Sequence, residues 1–301
     1  MLTPGPVVVG YDGSTSSQAA IAHGAWEAHR RGVPLHLLHT YRLQAPYGLL
    51  GLVPDPSFTD QELTHLRTLL TQQEQTIHTT YPDLPVEISL SAGSAAGALV
   101  DASREASLVV VGCRGLGGFT GLLLGSVGTA LAAHSHAPVM VIRPPEATGY
   151  LGSGPPHAPV VVGVDGVPES EGALGFAFEQ AAARDVTLIA LYAWWMGPAP
   201  TLVPHERRQY NLVEAEEQAR RQLAEAIAGW RTQHPDVKVE LRAARAINPT
   251  VALLGESKDA GLLVVSRHGG NALTRLILGS IGDTVVRQAL CPVAVVPERS
   301  A

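Results

Sequence analysis

Val7-Val-Val-Gly-Tyr-Asp-Gly13 decides the fold, because it returns as Val160-Val-Val-Gly-Val-Asp-Gly166 with six of its seven residues unchanged. From Val7 to Val160 the offset is 153 residues, and it barely drifts along the chain. Leu122–Gly128 (LLLGSVG) recurs as Leu276–Gly282 (LILGSIG), and Ala137-Pro-Val139 as Cys291-Pro-Val293, both at an offset of 154. A near-constant offset from start to finish marks the duplication of a whole domain, not a short solenoid unit. Pro144–Ala158 (PPEATGYLGSGPPHA) is rich in Pro, Gly and small residues and lacks apolar periodicity, which is the composition of a linker. The expected organisation is a first domain over 1–145, a linker over 146–158 and a second domain over 159–301.

Within the first copy, apolar runs of strand length fall at Val7–Gly10, Leu35–Thr40, Val86–Ser91, Leu108–Gly112 and Val139–Arg143. Several are continuously apolar, as strands are when helices cover both faces of a parallel sheet. Helical patterns fit between them: Ser16–Arg31 stopped by Gly32, Asp60–Thr80 stopped near Pro82, Ser94–Glu105, and Ser126–His134. The second copy repeats the scheme with Glu169–Arg184 and a longer Glu206–Gln233. Alternating strands and helices of this kind predict an α/β fold of two tandem doubly wound domains, each a five-stranded parallel sheet flanked by helices.

Composition narrows the function. The 301 residues are 46% hydrophobic and 16% charged, so a globular chain is expected. The formal net charge is -6, and no basic block exceeds pairs such as Arg30-Arg31, Arg207-Arg208 and Arg220-Arg221. A nucleic-acid partner is therefore not expected. No apolar run is long enough for a membrane span, and no basic segment leads into an apolar one at Met1-Leu-Thr-Pro4. Two cysteines, Cys113 and Cys291, make no disulfide framework; a cytoplasmic protein is expected.

Ligands of open parallel sheets bind beyond the carboxyl ends of the strands. Two places in the first copy follow strands informatively. Gly112-Cys-Arg-Gly115 is followed after nine residues by Gly125-Ser126, which opens a helix. Glycines let the backbone approach a phosphate closely, and a helix amino end favours an anion. The glycine content and the recurrence of the loop in both copies favour a phosphate loop over a turn with a Ser N-cap, and Arg114 would add one positive charge. At the first strand's end Asp12 fits equally a partner for a ribose or base edge and an Asx turn capping the next helix. Neither GxxxxGK[ST] nor GxGxxG occurs, and the only lysines are Lys238 and Lys258.

The spacing G-x2-G-x9-G-[S/T] from Gly112, the V-G-x-D-G-S opening at Val9–Ser14 and the A-P-V-x-V-I-R-P ending at Ala137–Pro144 resemble the universal stress protein family, over nearly the whole chain and in its tandem-domain form. The resemblance implies a strand order of 3-2-1-4-5 and pairing through the fifth strands, as a homodimer or as an intramolecular pseudo-dimer. It implies an adenine nucleotide, ATP, held in the first copy by Asp12, Thr40, Gly112, Gly115, Gly125, Ser126 and Val127. The matching positions of the second copy are Asp165, Ala193, Gly269, Gly279, Ser280 and Ile281. That copy departs from the pattern at Ser266, where a glycine belongs, and carries His268 in place of Arg114; weaker binding is expected there. Mg²⁺ is expected with the phosphates, since no lysine stands near to neutralise them.

The expected function is an ATP-binding stress-response regulatory protein, not an enzyme of ordinary turnover. A slow ATPase and a nucleotide-free interaction scaffold are the rivals. No Ser/His/Asp or Cys/His motif and no paired carboxylates are visible near the loops. Cys113 reads as a space-filling residue before a redox sensor, and His134-Ser-His136 as a helix end before a metal site. Trp194-Trp-Met196 reads equally as packing and as a base platform. Arg42–Phe58 and Trp194–Arg208, after the second strands, are expected to cover the site or to be ordinary surface connections.

Overall fold

The computed structural model describes residues 5–41, 56–115, 124–143, 157–164, 170–194, 212–246, 248–267 and 280–298. The chain divides into two compact units, Met1–Pro144 and Pro145–Ala301. Most of the sequence between the halves, and most of the segments after the two second strands, lie outside the described residues.

The first unit runs β1 (Val7–Gly10), α1 (Thr15–Arg31), β2 (Leu35–Tyr41), α2 (Pro56–Thr80), β3 (Val86–Ala92), α3 (Ala95–Ala102), β4 (Leu108–Gly112), α4 (Ser126–His134) and β5 (Val139–Ile142). Its strands lie in the order β3-β2-β1-β4-β5, all parallel. Val7 stands level with both Leu35 and Leu108, so the three central strands start flush. The unbroken apolar runs follow from cover on both faces: Val7, Val9, Leu108, Val109 and Val110 are fully buried. α1 packs on β1, β4 and β5, and α3 packs on β1 and β2 and against α4. Right-handed crossovers put these helices on opposite faces. The connections leaving β1 and β4 thus diverge, and the carboxyl ends of those two strands form the crevice.

Helix α1 packs on the two strands whose ends form that crevice. It starts where the Ser14 hydroxyl accepts from the Ser17 N–H and stops at Gly32, whose φ of 64 lets its N–H reach Ala28 and His29 carbonyls. Its buried side includes the small residues Ser16, Ser17, Ala20, Gly24, Ala25 and Ala28, and a Cβ at Gly24 would run into the Val9 side chain.

The second unit repeats the order with β6 (Val160–Gly163), α5 (Glu171–Arg184), β7 (Leu188–Trp194), α6 (Leu212–Gln233), β8 (Val239–Arg245), α7 (Pro249–Glu256), β9 (Leu262–Ser266), α8 (Ser280–Gln288) and β10 (Val293–Val296). Within the unit the sheet is β8-β7-β6-β9-β10, again parallel. The register repeats too, with Val160 level with Leu188 and Leu262.

Element ends differ from the sequence expectation where local chemistry decides them. α2 begins at Pro56 instead of Asp60, with proline at the position where its missing N–H costs nothing. α3 ends at Ala102 instead of Glu105, because Arg104 and Glu105 turn back to the carbonyls of Asp101 and Ala102. β5 closes at Ile142, one residue before Arg143. α5 begins at Glu171; Glu169, and the expected start of α6 at Glu206, lie outside the described residues.

Candidate functional site

Over the carboxyl ends of β1 and β4 lies a cleft of about 470 Å³. Asp12, Thr40, Gly112, Arg114, Gly115, Gly125, Ser126 and Val127 all line it, so every position singled out in the first copy comes to one place. The lining also includes Tyr11, Leu38, Leu99 and Leu124, which the sequence reading missed. The apolar groups of Leu38, Leu99 and Val111 give the cleft one greasy wall, while Asp12 and Arg114 are the only charged side chains among its described lining residues.

The polar end is built from three backbone features. First, the Tyr11 N–H donates to the Leu38 carbonyl at 3.0 Å, carrying β1 past its last strand residue, and His39 Nδ1 lies 2.8 Å from the Tyr11 carbonyl. A carbonyl only accepts, so His39 carries its proton on Nδ1. Burial, with Asp12 beside it, pushes the Tyr11 phenol above its usual range. Second, Asp12 Oδ1 accepts from the Ser14 N–H at 3.0 Å. This is the Asx turn, and the other carboxylate oxygen faces Gly115, whose absent Cβ would collide with it. Third, the Cys113 backbone staples the loop: its N–H donates to the Ile142 carbonyl and its own carbonyl accepts from Gly125, each at 2.8 Å.

Gly125 is the N-cap of α4 and makes no side-chain cap; Ser126 is the first helical residue, so it does not act as the cap. The first bond of the helix ladder runs from Thr129 N–H to the Gly125 carbonyl at 3.1 Å. The N–H groups of Ser126, Val127 and Gly128 therefore have no partner within the helix ladder, and these residues line the cleft.

The glycines have a packing reason beside the expected close approach to a phosphate. Among the described residues, positive φ is confined to Gly13, Gly32, Gly93, His157 and Asp185, so neither Gly115 nor Gly125 is there for a left-handed backbone. Gly112 and Gly115 are small because α1 and Asp12 press against them. Of these three glycines, only at Gly125 would a Cβ meet nothing closer than 3.7 Å, the Cys113 carbonyl.

The remaining candidates fall away from the cleft. Cys113 is buried, and burial pushes its thiol up against the opposing pull of Arg143 and Arg114, which suits space filling. His134 sits in the last turn of α4, and the His136 N–H donates to Ser103 Oγ at 2.9 Å. In the second unit, Ala193 pairs in register with Ala244 near the end of β7, and Ile281 lies in the first turn of α8, which Ser280 opens. Asp165, Gly269, Gly279 and His268, with Trp195 and Met196, lie outside the described residues. Trp194 ends β7.

The fold and cleft define a class: tandem doubly wound parallel domains with a ligand-sized crevice at the switch point of the first. The family model described as "Universal stress protein family" matches residues 5–143 and again 157–297. A universal stress protein of Mycolicibacterium smegmatis is 35% identical over 97% of this chain and 97% of its own length. One from Mycobacterium tuberculosis is 33% identical over 97% and 96%. The crystal structure of a universal stress protein from Archaeoglobus fulgidus matches 99% of this chain and 97% of its own at a TM-score of 0.70 and 19% identity, which shows the shared fold. The chain belongs to the universal stress protein family, with the domain present twice.

Proposed function

We propose that the first half of this protein binds ATP with Mg²⁺ and that the chain acts as a nucleotide-responsive regulator in stress, with slow turnover or none. The observation that carries the proposal is the meeting, in one cleft, of the Gly112–Gly115 turn, the amino end of α4 and the Asp12 carboxylate. The cleft's volume, about 470 Å³, suits a ligand of nucleotide size. Leu38, Leu99 and Val111 offer a base an apolar wall, Asp12 can accept from ribose hydroxyls, and the N–H groups of Ser126 to Gly128 suit phosphate oxygens. Arg114 adds the one cation among the described lining residues. No group of three or more His, Cys, Asp or Glu that could hold a metal occurs among the described residues. Mg²⁺ would therefore arrive on the phosphates, which it would neutralise together with bound water.

Slow turnover follows from the same inventory. No histidine is among the described lining residues, and their one carboxylate already accepts a backbone N–H. A fast reaction needs groups that act preferentially on the transition state. Both cysteines are buried and neither is in a disulfide, and no described helix is long and apolar enough to cross a membrane; a cytoplasmic regulator is proposed. Association through the fifth strands, between copies or within the chain, belongs to the same proposal, and light scattering gives its stoichiometry.

Mass spectrometry of nucleotide released on denaturing the purified chain tests the proposal, followed by calorimetric titration with MgATP. Release of adenine nucleotide and a binding isotherm lost in Gly125→Ala are expected. No released nucleotide and no heat with MgATP would refute it, and a steady-state hydrolysis rate near 1 s⁻¹, in the ordinary enzyme range, would refute the regulatory half.

A further inference from the structure

The glycine loop is held from behind by a side chain that is not part of the cleft lining. Ser16, in the first turn of α1, is buried at 4% exposure. Its hydroxyl donates to the Arg114 carbonyl and accepts from the Arg114 N–H at 3.4 Å. Ser14 Oγ lies 3.2 Å from Ser16 Oγ and 3.2 Å from the same carbonyl. A hydroxyl has one proton and two lone pairs, so Ser16 spends its proton on the carbonyl and keeps its lone pairs for the Arg114 amide and the Ser14 hydroxyl. Both backbone polar groups of Arg114 are thereby tied to the amino end of α1. The fit is reciprocal: a Cβ at Gly112 would stand 2.5 Å from Ser16 Oγ and 2.6 Å from its carbonyl carbon.

The second half changes both partners together. Where the first has Gly112 and Ser16, the matching residues are Ser266 and Glu169. In sequence, the glycine and the serine are replaced as a pair.

We propose that Ser16 is a positioning residue for the ligand loop: by gripping the Arg114 backbone in the space left open at Gly112, it holds the turn in the shape that accepts phosphates. Its effect on affinity rests on the nucleotide reading above; its effect on the loop does not. Since Ser16 is not among the residues lining the cleft, any change in affinity on its removal is indirect, and exchange at Arg114 reads whether it passes through the loop.

The test uses the full-length chain and Ser16→Ala, which deletes one oxygen and leaves the Ser14 cap in place. Two quantities are read: MgATP affinity by calorimetry, and amide hydrogen exchange of the nucleotide-free protein. Loss of a hydrogen bond of this kind corresponds to about a tenfold effect, so MgATP should bind about ten times more weakly. The Arg114 amide should exchange about ten times faster, with Val109 to Val111 in β4 unchanged. Ser16→Thr, which keeps the hydroxyl, should restore protection of Arg114. Unchanged exchange at Arg114 in Ser16→Ala, or an equal loss in Ser16→Thr, would overturn the proposal, as would undiminished affinity in a chain that binds MgATP. If the wild-type chain takes no nucleotide, the proposed function fails by itself, and exchange at Arg114 alone decides the role of Ser16.

Discussion

The two halves of this chain share a backbone and diverge in what they hang on it. At the end of the fourth strand of the first unit, Cys113 N–H donates to the Ile142 carbonyl at 2.8 Å; in the second unit Arg267 does the same to Val296 at 2.8 Å. The side chains around that shared bond differ. The first unit places Gly112 against Ser16 and a buried cysteine next to it, whereas the second places Ser266 and then a half-buried Arg267, whose guanidinium burial pulls down in pKa while Glu298 pulls it up. The first helices diverge likewise. Glu27, fully buried, is paired with Arg30 at 2.6 Å and Arg31 at 2.9 Å, while at the matching place Gln180, equally buried, accepts from Arg184 at 3.1 Å. Duplication has kept the strand order and ladder, which the core enforces, and has released the residues at the strand ends.

Four experiments break or sharpen this comparison, beginning with the largest effect. Removing one partner of a buried ion pair strands the others, so Glu27→Ala should destabilise the first half by roughly 3–5 kcal/mol in urea unfolding. Glu27→Gln, the second half's own choice, should cost clearly less. A loss under about 1 kcal/mol in Glu27→Ala would mean the two arginines find water or other partners at little cost.

Next, Gly112→Ala drives a methyl into Ser16 and should destabilise by roughly 1–3 kcal/mol, whereas Ser266→Gly in the second half, with no such collision to relieve, should stay within about 1 kcal/mol. Equal effects in thermal unfolding would show that the halves are packed alike there.

Affinity for MgATP should differ between the sites by roughly ten- to a hundredfold, about 1.4–2.8 kcal/mol, in favour of the first. Calorimetry on the wild type, on Gly125→Ala and on Gly279→Ala separates the two isotherms; two equal affinities would break the asymmetry.

The smallest effect concerns pH. Burial holds His36 below its ordinary value of 6.5 despite Glu87 beside it, and Ile189 stands at the matching place in the second half. A histidine depressed in the folded state binds its proton more readily when unfolded. The stability it leaves intact above pH 6.5 is therefore lost as pH falls through that value toward the folded pKa. The melting temperature of the first half should fall slightly from pH 7 to 5, and His36→Ile should flatten that slope; an unchanged slope would assign the acid sensitivity to other groups.

The sheet was legible because continuous valine runs such as Val7-Val-Val and Leu108–Val111 suit strands covered on both faces, and because the repeat showed each of them twice. The end of α3 was not, since Ser103-Arg-Glu105 has nothing against a helix until Arg104 turns back to Asp101 at 3.1 Å. The cleft residues of the first half were legible as a set, from the glycine spacing and from the family pattern. Their reasons were not. Gly115 reads as a residue that lets the backbone approach a phosphate, and the packing reason beside that one, Asp12 lying against it, leaves no trace in the sequence. Ser16 left no local signal, because its partner Arg114 is 98 residues away and nothing in a run of serines says which of them reaches a distant loop.

The staple at Cys113 has a consequence for how this protein can vary. Because its N–H donates to the Ile142 carbonyl and its own carbonyl accepts the Gly125 N–H, each at 2.8 Å, one residue ties the end of β4 to β5 and to the amino end of α4. The tie is made by backbone atoms alone, and in the second unit Arg267 makes the same N–H bond to Val296 with a different side chain. The spacing between strand end and helix start is thus written into the main chain, not into a side chain that a substitution could remove.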